Sequence, residues 1–279
     1  MEKSQGKPLF GLCTISHREK LLEYVLDLAR DLGFGAIEIW GREPHISEKF
    51  DENRVAAARK MVEERHLCLC SLGSYVTCGP VRTRPEELVE VDDVLHTARC
   101  LRSPVVRIWA SDIGSDHADR EVFDRTVRDI QGACDRAARL NLTLAAQMHD
   151  DTLADTAASC MRLAEKVARD NFRLVFQVSH RDRPESAEQR LTRVLDLVAQ
   201  VDIHNFSQYA TEDGERVRRA PISEGLVDYY PLLEILANHG YRGCYALQFA
   251  AREGAAKRES LEQDLAYVRS LFKLMGRSA

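Results

Sequence analysis

The chain runs to 279 residues, 44% of them hydrophobic and 30% charged, with a formal net charge of −5. Such a length and balance fit an ordinary globular protein with a substantial core. The negative charge speaks against nucleic acid or an anionic membrane surface as the main partner. No apolar run approaches the roughly 18 residues needed to span a bilayer. The opening M-E-K-S-Q-G-K-P carries no apolar leader. The eight cysteines are dispersed, without a CxxC pair or the Cys/His spacing of a zinc module. Cys68 and Cys70 alternate in a strand-like run, so they are expected to share a buried face. These features predict a reduced, cytoplasmic protein without disulfides.

Leu9–Thr14, after Pro8, predicts a first strand. An amphipathic helix then opens at His17, with Leu21, Leu22, Val25, Leu28 and Ala29 apolar, and stops at Gly33. Gly35–Trp40 predicts the second strand, and a helix through Val55, Ala58 and Val62 leads to the third at Leu67–Leu72. A helix over Pro85–Leu101 precedes the fourth strand, Val105–Ala110, and a long helix over Asp119–Leu140 precedes the fifth, Leu142–Gln147. Asp150 and Asp151 are expected to cap a helix over Asp151–Ala168. The sixth strand is Leu174–Val178; a helix over Glu188–Val198 and the seventh strand, Val201–Phe206, follow. A helix over Asp228–His239 ends at Gly240, the eighth strand is Gly243–Phe249, and a last helix covers Glu259–Met275. Strict alternation with a repeat of roughly 30 residues predicts one domain over 1–279, a single (β/α)8 barrel. A doubly wound open sheet would want a glycine-rich phosphate turn after the first strand, and G-L-C-T-I-S-H is not one.

A parallel barrel does its chemistry at the C-terminal ends of its strands. Those ends supply His17, Glu38 with Trp40, Ser71 with Tyr75, Arg107 with Trp109, Gln147 with His149, Gln177 with His180, then His204 and Gln248. His45 lies in the second loop, and Asp112 is a further carboxylate near the mouth. Polar groups converging on one concave face predict a binding site. The tryptophans suit the face of a sugar ring, and Arg107 suits a phosphate or carboxylate, or an internal pair.

The segment P-I-S-E-G-L-V-D-Y-Y-P-L-L-E-I-L-A-N-H-G-Y-R-G-C-Y-A-L-Q-F resembles the closing third of the xylose-isomerase-like TIM barrels, the sugar phosphate isomerase/epimerase family. Strands ending L-A-A-Q-M-H, V-F-Q-V-S-H and V-D-I-H-N-F are similar to that family's fifth, sixth and seventh. The resemblance implies a metal site of Glu, Asp, His and Glu on strands five to eight. Here those positions are Gln147, Gln177, His204 and Gln248, so three ionisable ligands are neutral amides.

A divalent cation prefers anionic oxygens. The sequence therefore predicts no tightly bound cofactor, with at most a weakly held Mn or Mg ion. Glu38 is the nearest carboxylate by type, but it is expected on the far side of the barrel. A Gln cannot move a proton. His149, His180 or His204 is then the expected acid/base, and Glu38, Trp40, Arg107, Trp109, Gln147, Gln177 and Gln248 the expected substrate contacts. The substrate implied is a small polyhydroxy carbonyl compound, isomerised or epimerised. The alternative is a non-catalytic barrel that binds a sugar or polyol, since amides both donate to and accept from hydroxyls. The resemblance also suggests a homo-oligomer. Endonuclease chemistry, found in part of the family, would need several metal ligands and a basic groove.

Overall fold

A computed structural model describes residues 7–47, 49–81, 89–179, 186–211 and 214–277. Eight parallel strands close into a barrel: β1 (Leu9–Cys13), β2 (Ala36–Trp40), β3 (Cys68–Cys78), β4 (Val105–Ala110), β5 (Thr143–Gln147), β6 (Phe172–Gln177), β7 (Val198–Ile203) and, after an inserted hairpin, β10 (Cys244–Leu247). The hairpin, β8 (Asn205–Thr211) with β9 (Gly214–Ala220), pairs antiparallel and rises from the end of β7. The helices are α1 (Leu22–Leu32), α2 (Glu52–Glu64), α3 (Val91–Leu101), α4 (Arg120–Arg139), α5 (Ala157–Val167), α6 (Ala187–Val194), α7 (Tyr229–His239) and α8 (Lys257–Leu274). The fold is the predicted (β/α)8 barrel. No helix among the described residues is long and apolar enough to cross a membrane.

Local chemistry sets the helix starts. Asp51, Asp119, Thr156 and Asp228 each accept a backbone N–H from the first turn that follows, and Ser186 with Gln189 forms a full capping box. Gly33 and Gly240 close α1 and α7 at φ 79° and 83°, a left-handed geometry that costs glycine little. α5 starts six residues later than predicted. Asp151 sits at φ 62° and turns the backbone away from helix, so Thr156 rather than either aspartate is the cap. α1 likewise begins at Leu22, because Thr14–His17 forms a 3-10 turn first. The start predicted for the third helix, with Glu86 and Glu87, falls outside the described residues.

Apolar side chains from strands and helices, Ile37, Ile39, Leu72, Leu26, Ile130 and Leu233 among them, fill the layer between barrel and helices. Inside the barrel the lower positions are small: Ala36, Cys70, Cys244 and Ala246 form a separate cluster. Gly11 fits the same narrow space, since a Cβ there would stand 2.6 Å from the Cys244 sulfur. All eight cysteines are free thiols. Cys68, expected to share the burial of Cys70, is exposed instead because it is the first residue of β3, at the rim.

Parallel register carries the polar positions. It sets Cys13 beside Glu38, Gln177 beside Asp202, and Asp202 beside Ala246, all on the inward face. The hairpin is tied down by Asn205, whose amide donates to the carbonyls of Ile222 and Val227 at 3.0 and 2.7 Å. Asp264 of α8 accepts the Ile222 N–H at 2.7 Å, and burial pushes its carboxyl up to about 6. The folded state therefore holds this proton more tightly than the unfolded chain. The contribution of Asp264 is fully favourable below pH about 4 and is lost as pH rises through about 6. Asp264→Asn keeps an oxygen for Ile222 and removes the charging cost. Relative to the parent, the variant should gain up to about 3 kcal/mol between pH 4 and 7.5, read as the change in Tm difference across that range.

Candidate functional site

Three amides converge on one buried carboxylate. Asp202 is 1% exposed at the inward face of β7. Its Oδ2 accepts from Gln147 Nε2 at 3.0 Å and from Gln248 Nε2 at 3.1 Å, and its Oδ1 accepts from Gln200 Nε2 at 2.7 Å. Gln200 Nε2 donates its other hydrogen to Glu38 Oε2 at 2.6 Å, so one amide joins two carboxylates across the barrel. Arg107 supplies the positive charge: its Nη1 donates to Gln147 Oε1 at 2.9 Å, while Gln147 Nε2 also donates to Gln177 Oε1 at 3.0 Å. Arg107 can only donate and the carboxylates lead the acceptors, so the amide orientations are mutually forced. Burial pushes both Glu38 and Asp202 above the ordinary carboxylate range, the Glu38 charge pushes Asp202 further, and Arg107 pulls against both. Gly73 makes room for the pair, for a Cβ there would stand 2.6 Å from Glu38 Oε1 and 3.0 Å from Arg107 Nη2.

Above this network opens a cavity of about 950 Å³, whose lining includes Arg107, Trp109, Gln147, His149, Gln177, His204 and Gln248. Tyr75 stands between two guanidinium groups, Arg42 at 4.0 Å and Arg107 at 5.3 Å from its ring centre, and Arg107 lies 4.8 Å from the Trp109 ring. His149 packs edge-on to Trp109, centroids 5.1 Å apart, and its Nδ1 donates to the Asp150 carbonyl at 2.7 Å. A carbonyl only accepts, which fixes the tautomer and leaves Nε2 as the ring's acceptor. His204 is buried at the far corner, and its proton affinity is held well below the ordinary imidazole value by burial first and by the charge of Arg219 second. Arg219 comes from β9 and stacks over the Phe249 and Phe206 rings at 3.7 and 4.6 Å. Burial lowers it to about 10, so it stays charged at neutral pH.

Of the residues singled out in the sequence, these seven meet at one mouth, together with Tyr75 and Asp112. Glu38 and Trp40 do not line it. Glu38 lies in the network beneath, joined through Gln200 to β7 rather than stranded across the barrel. Trp40 donates its indole N–H to the Tyr75 hydroxyl at 2.9 Å and packs edge-on to His45. His45 bonds Thr14 Oγ1 at 2.7 Å, and His17 is held at about 4 by burial and the charge of Lys257; both stand outside the lining. Asp112 lines the mouth. His180 falls outside the described residues. Sequence reasoning missed Gln200, Asp202 and Arg219; the four family ligand positions are uncharged as read, and the carboxylate of Asp202 lies against two of them. The signal was present: Gln200, Asp202 and His204 alternate along one strand face.

Among the described residues, no group of three or more His, Cys, Asp or Glu side chains is placed to hold a metal ion. Two of the amide carbonyls at the family's ligand positions, Gln147 Oε1 and Gln177 Oε1, are already engaged by Arg107 and by Gln147.

The family model for the xylose isomerase-like TIM barrel matches residues 26–271, and the chain belongs to that family. Over 243 residues, 81% of this chain and 85% of the other, it is 21% identical to a 3-dehydroshikimate dehydratase of Bacillus anthracis. The crystal structure of the probable 3-DHS dehydratase AsbF of that organism superposes with a TM-score of 0.74 at 17% identity, covering 93% of this chain and 98% of that one. A xylose isomerase domain protein of Planctomyces limnophilus gives 0.78 at 16%, covering 97% and 99%. A D-allulose 3-epimerase of Methylomonas sp. gives 0.72 at 15%, covering 95% and 98%.

If Asp202 organises the mouth, Asp202→Ala leaves three amide groups without their acceptor. Unsatisfied buried donors cost about 1–3 kcal/mol each before water relaxes them. We expect a loss of about 3 kcal/mol in urea unfolding with an unchanged m value. A loss below about 1 kcal/mol, typical of a surface site, would show that the network holds without its centre.

Proposed function

We propose that the mouth is the active site of an enzyme acting on a small polyhydroxylated carbonyl compound, with His149 as the acid/base and no tightly bound divalent cation. Family membership supports a sugar-modifying enzyme, and the similar proteins include a 3-dehydroshikimate dehydratase and a D-allulose 3-epimerase. The observation that carries the reading is His149. Its Nδ1 is locked onto the Asp150 carbonyl, and its other nitrogen is left as a base at the wall of a 950 Å³ cavity. A proton on the carbon next to a substrate carbonyl is the group such a base can take. The guanidinium of Arg107, with the Trp109 indole beside it, then faces the oxygen on which negative charge develops. His204 is a poor base, because burial and the charge of Arg219 hold its proton affinity well below the ordinary imidazole value.

The donor set does not fit a divalent cation. Two of the amide oxygens, of Gln147 and Gln177, are spent on internal hydrogen bonds, and Asp202 is spent on three N–H groups. A fixed guanidinium stands where such a site would need an anion.

A panel of ketoses and hydroxylated cyclic ketones, assayed after dialysis against chelator, tests the proposal. Turnover should persist without metal, and His149→Asn should lower kcat by about 10²–10⁴-fold with little change in Tm. Added Mn²⁺ should leave the Tm of the parent unchanged, whereas Gln147→Glu, Gln177→Asp and Gln248→Glu combined should make Tm rise with Mn²⁺. Full activity in His149→Asn removes the histidine mechanism. Inactivity on the whole panel with retained sugar binding favours a binding protein.

A further inference from the structure

Taking the mouth as the ligand site, we infer that its ligand is an anion: a hydroxylated carboxylic acid whose carboxylate sits against Arg219, in the corner made by His204, Phe206 and Phe249. Among the described residues, every buried side-chain atom of the cavity lining that lacks a hydrogen-bond partner is a nitrogen, and the donors Arg107 Nε, Trp109 Nε1 and Arg219 Nη1 are among them. The wall is thus short of acceptors, and a carboxylate is a group that only accepts.

Arg219 makes the case for charge rather than for polarity alone. Its guanidinium is stacked between two phenyl rings, which hold the plane but leave the in-plane N–H groups unused. No carboxylate of the described residues forms an ion pair with it. A cation withdrawn from water without a counter-ion is costly, and cation–π stacking on each ring returns only about 0.5–2 kcal/mol. An arriving carboxylate supplies the missing charge and can take two parallel N–H bonds. His204 stands beside it as a neutral ring bonded to the Val178 carbonyl and the Gln248 side chain, so it adds no second charge to the corner. The whole chain is negative, so this cationic corner is a local construction and not a reflection of overall charge. The hydroxyl-bearing remainder of the ligand then reaches toward His149 and Arg107, which line the same cavity.

Isothermal titration of the full chain with shikimate, quinate and D-gluconate, against methyl shikimate, methyl quinate and D-glucitol, tests the inference. We expect each acid to bind at least tenfold more tightly than its neutral counterpart. Arg219→Gln should erase that preference and Arg219→Lys keep part of it. Arg218→Gln, on the same hairpin but directed to Ser207 and Tyr209, should leave it intact. Tm values confirm that each variant is folded. Neutral ligands binding as tightly as the acids overturn the inference while leaving the mouth as the ligand site. D-ribose 5-phosphate binding more tightly than any carboxylate overturns the carboxylate assignment. An equal loss for acid and ester in Arg219→Gln shows a structural role instead. Failure of both series to bind overturns this inference, and turnover on the ketone panel then decides the proposed function separately.

Discussion

A carboxylate buried in the middle of a barrel is the constraint on which the mouth depends. Asp202 is out of water, and its charge is expensive there unless every lone pair is used. Three glutamine amides meet that demand, from β5, β7 and the end of β10. Each amide that turns toward Asp202 has its own carbonyl to dispose of. Gln147 turns its carbonyl to Arg107, which brings a guanidinium to the floor of the cavity. Gln200 reaches on to Glu38 and closes the circuit across the barrel. Five different strands, β2, β4, β5, β7 and β10, are thereby tied together by side chains as well as by the ladder. The same circuit decides what the cavity can offer above it: amide and guanidinium donors, with few free acceptors.

The polarity of the site follows from that arrangement. Negative charge is kept low in the barrel, on Glu38 and Asp202, whose proton affinities are both raised by burial, that of Asp202 by the Glu38 charge as well. Positive charge is kept at the mouth, on Arg107 and Arg219, each stacked on aromatic rings. In the pattern that the sequence resembles, carboxylates at the mouth would hold a metal cation. Here the cation is the Arg107 side chain, and the amide at one ligand position, Gln147, accepts its N–H. Gln147, Gln177 and Gln248 are therefore parts of a network in which an amide is required, since a carboxylate at 147 or 248 would face Asp202 at hydrogen-bond distance.

Much of this was legible in the chain. The alternation of strand and helix gave the barrel, and the rule that chemistry gathers at strand ends found Arg107, Trp109, Gln147, His149, Gln177, His204 and Gln248 together. Asp202 was hidden by a boundary: β7 runs from Val198 to Ile203, whereas the apolar run suggested 201–206. The three-residue offset moved Gln200 out of the strand and left Asp202 at its start, where an aspartate reads as a cap. Arg219 was hidden for another reason. The sequence G-E-R-V-R-R-A has the composition of a solvated loop, and only its pairing with β8, seen in the register of Phe206 against Arg219, makes it a strand that returns to the mouth. Local pattern found the elements; which polar side chains meet inside was settled by closure of the barrel, which the pattern does not encode.

The central claim is that Glu38 and Asp202 form one buried acid pair balanced by Arg107. Carbon-13 NMR of selectively labelled carboxyl groups, followed from pH 3 to 9 in the folded protein, measures it directly. The account predicts that the pair retains a proton well above the ordinary carboxylate range near about 4, and that Arg107→Met drives the transition higher still, because the cation that pulls both down is gone. Ordinary titration of both carboxyls near pH 4, unmoved by Arg107→Met, would contradict it.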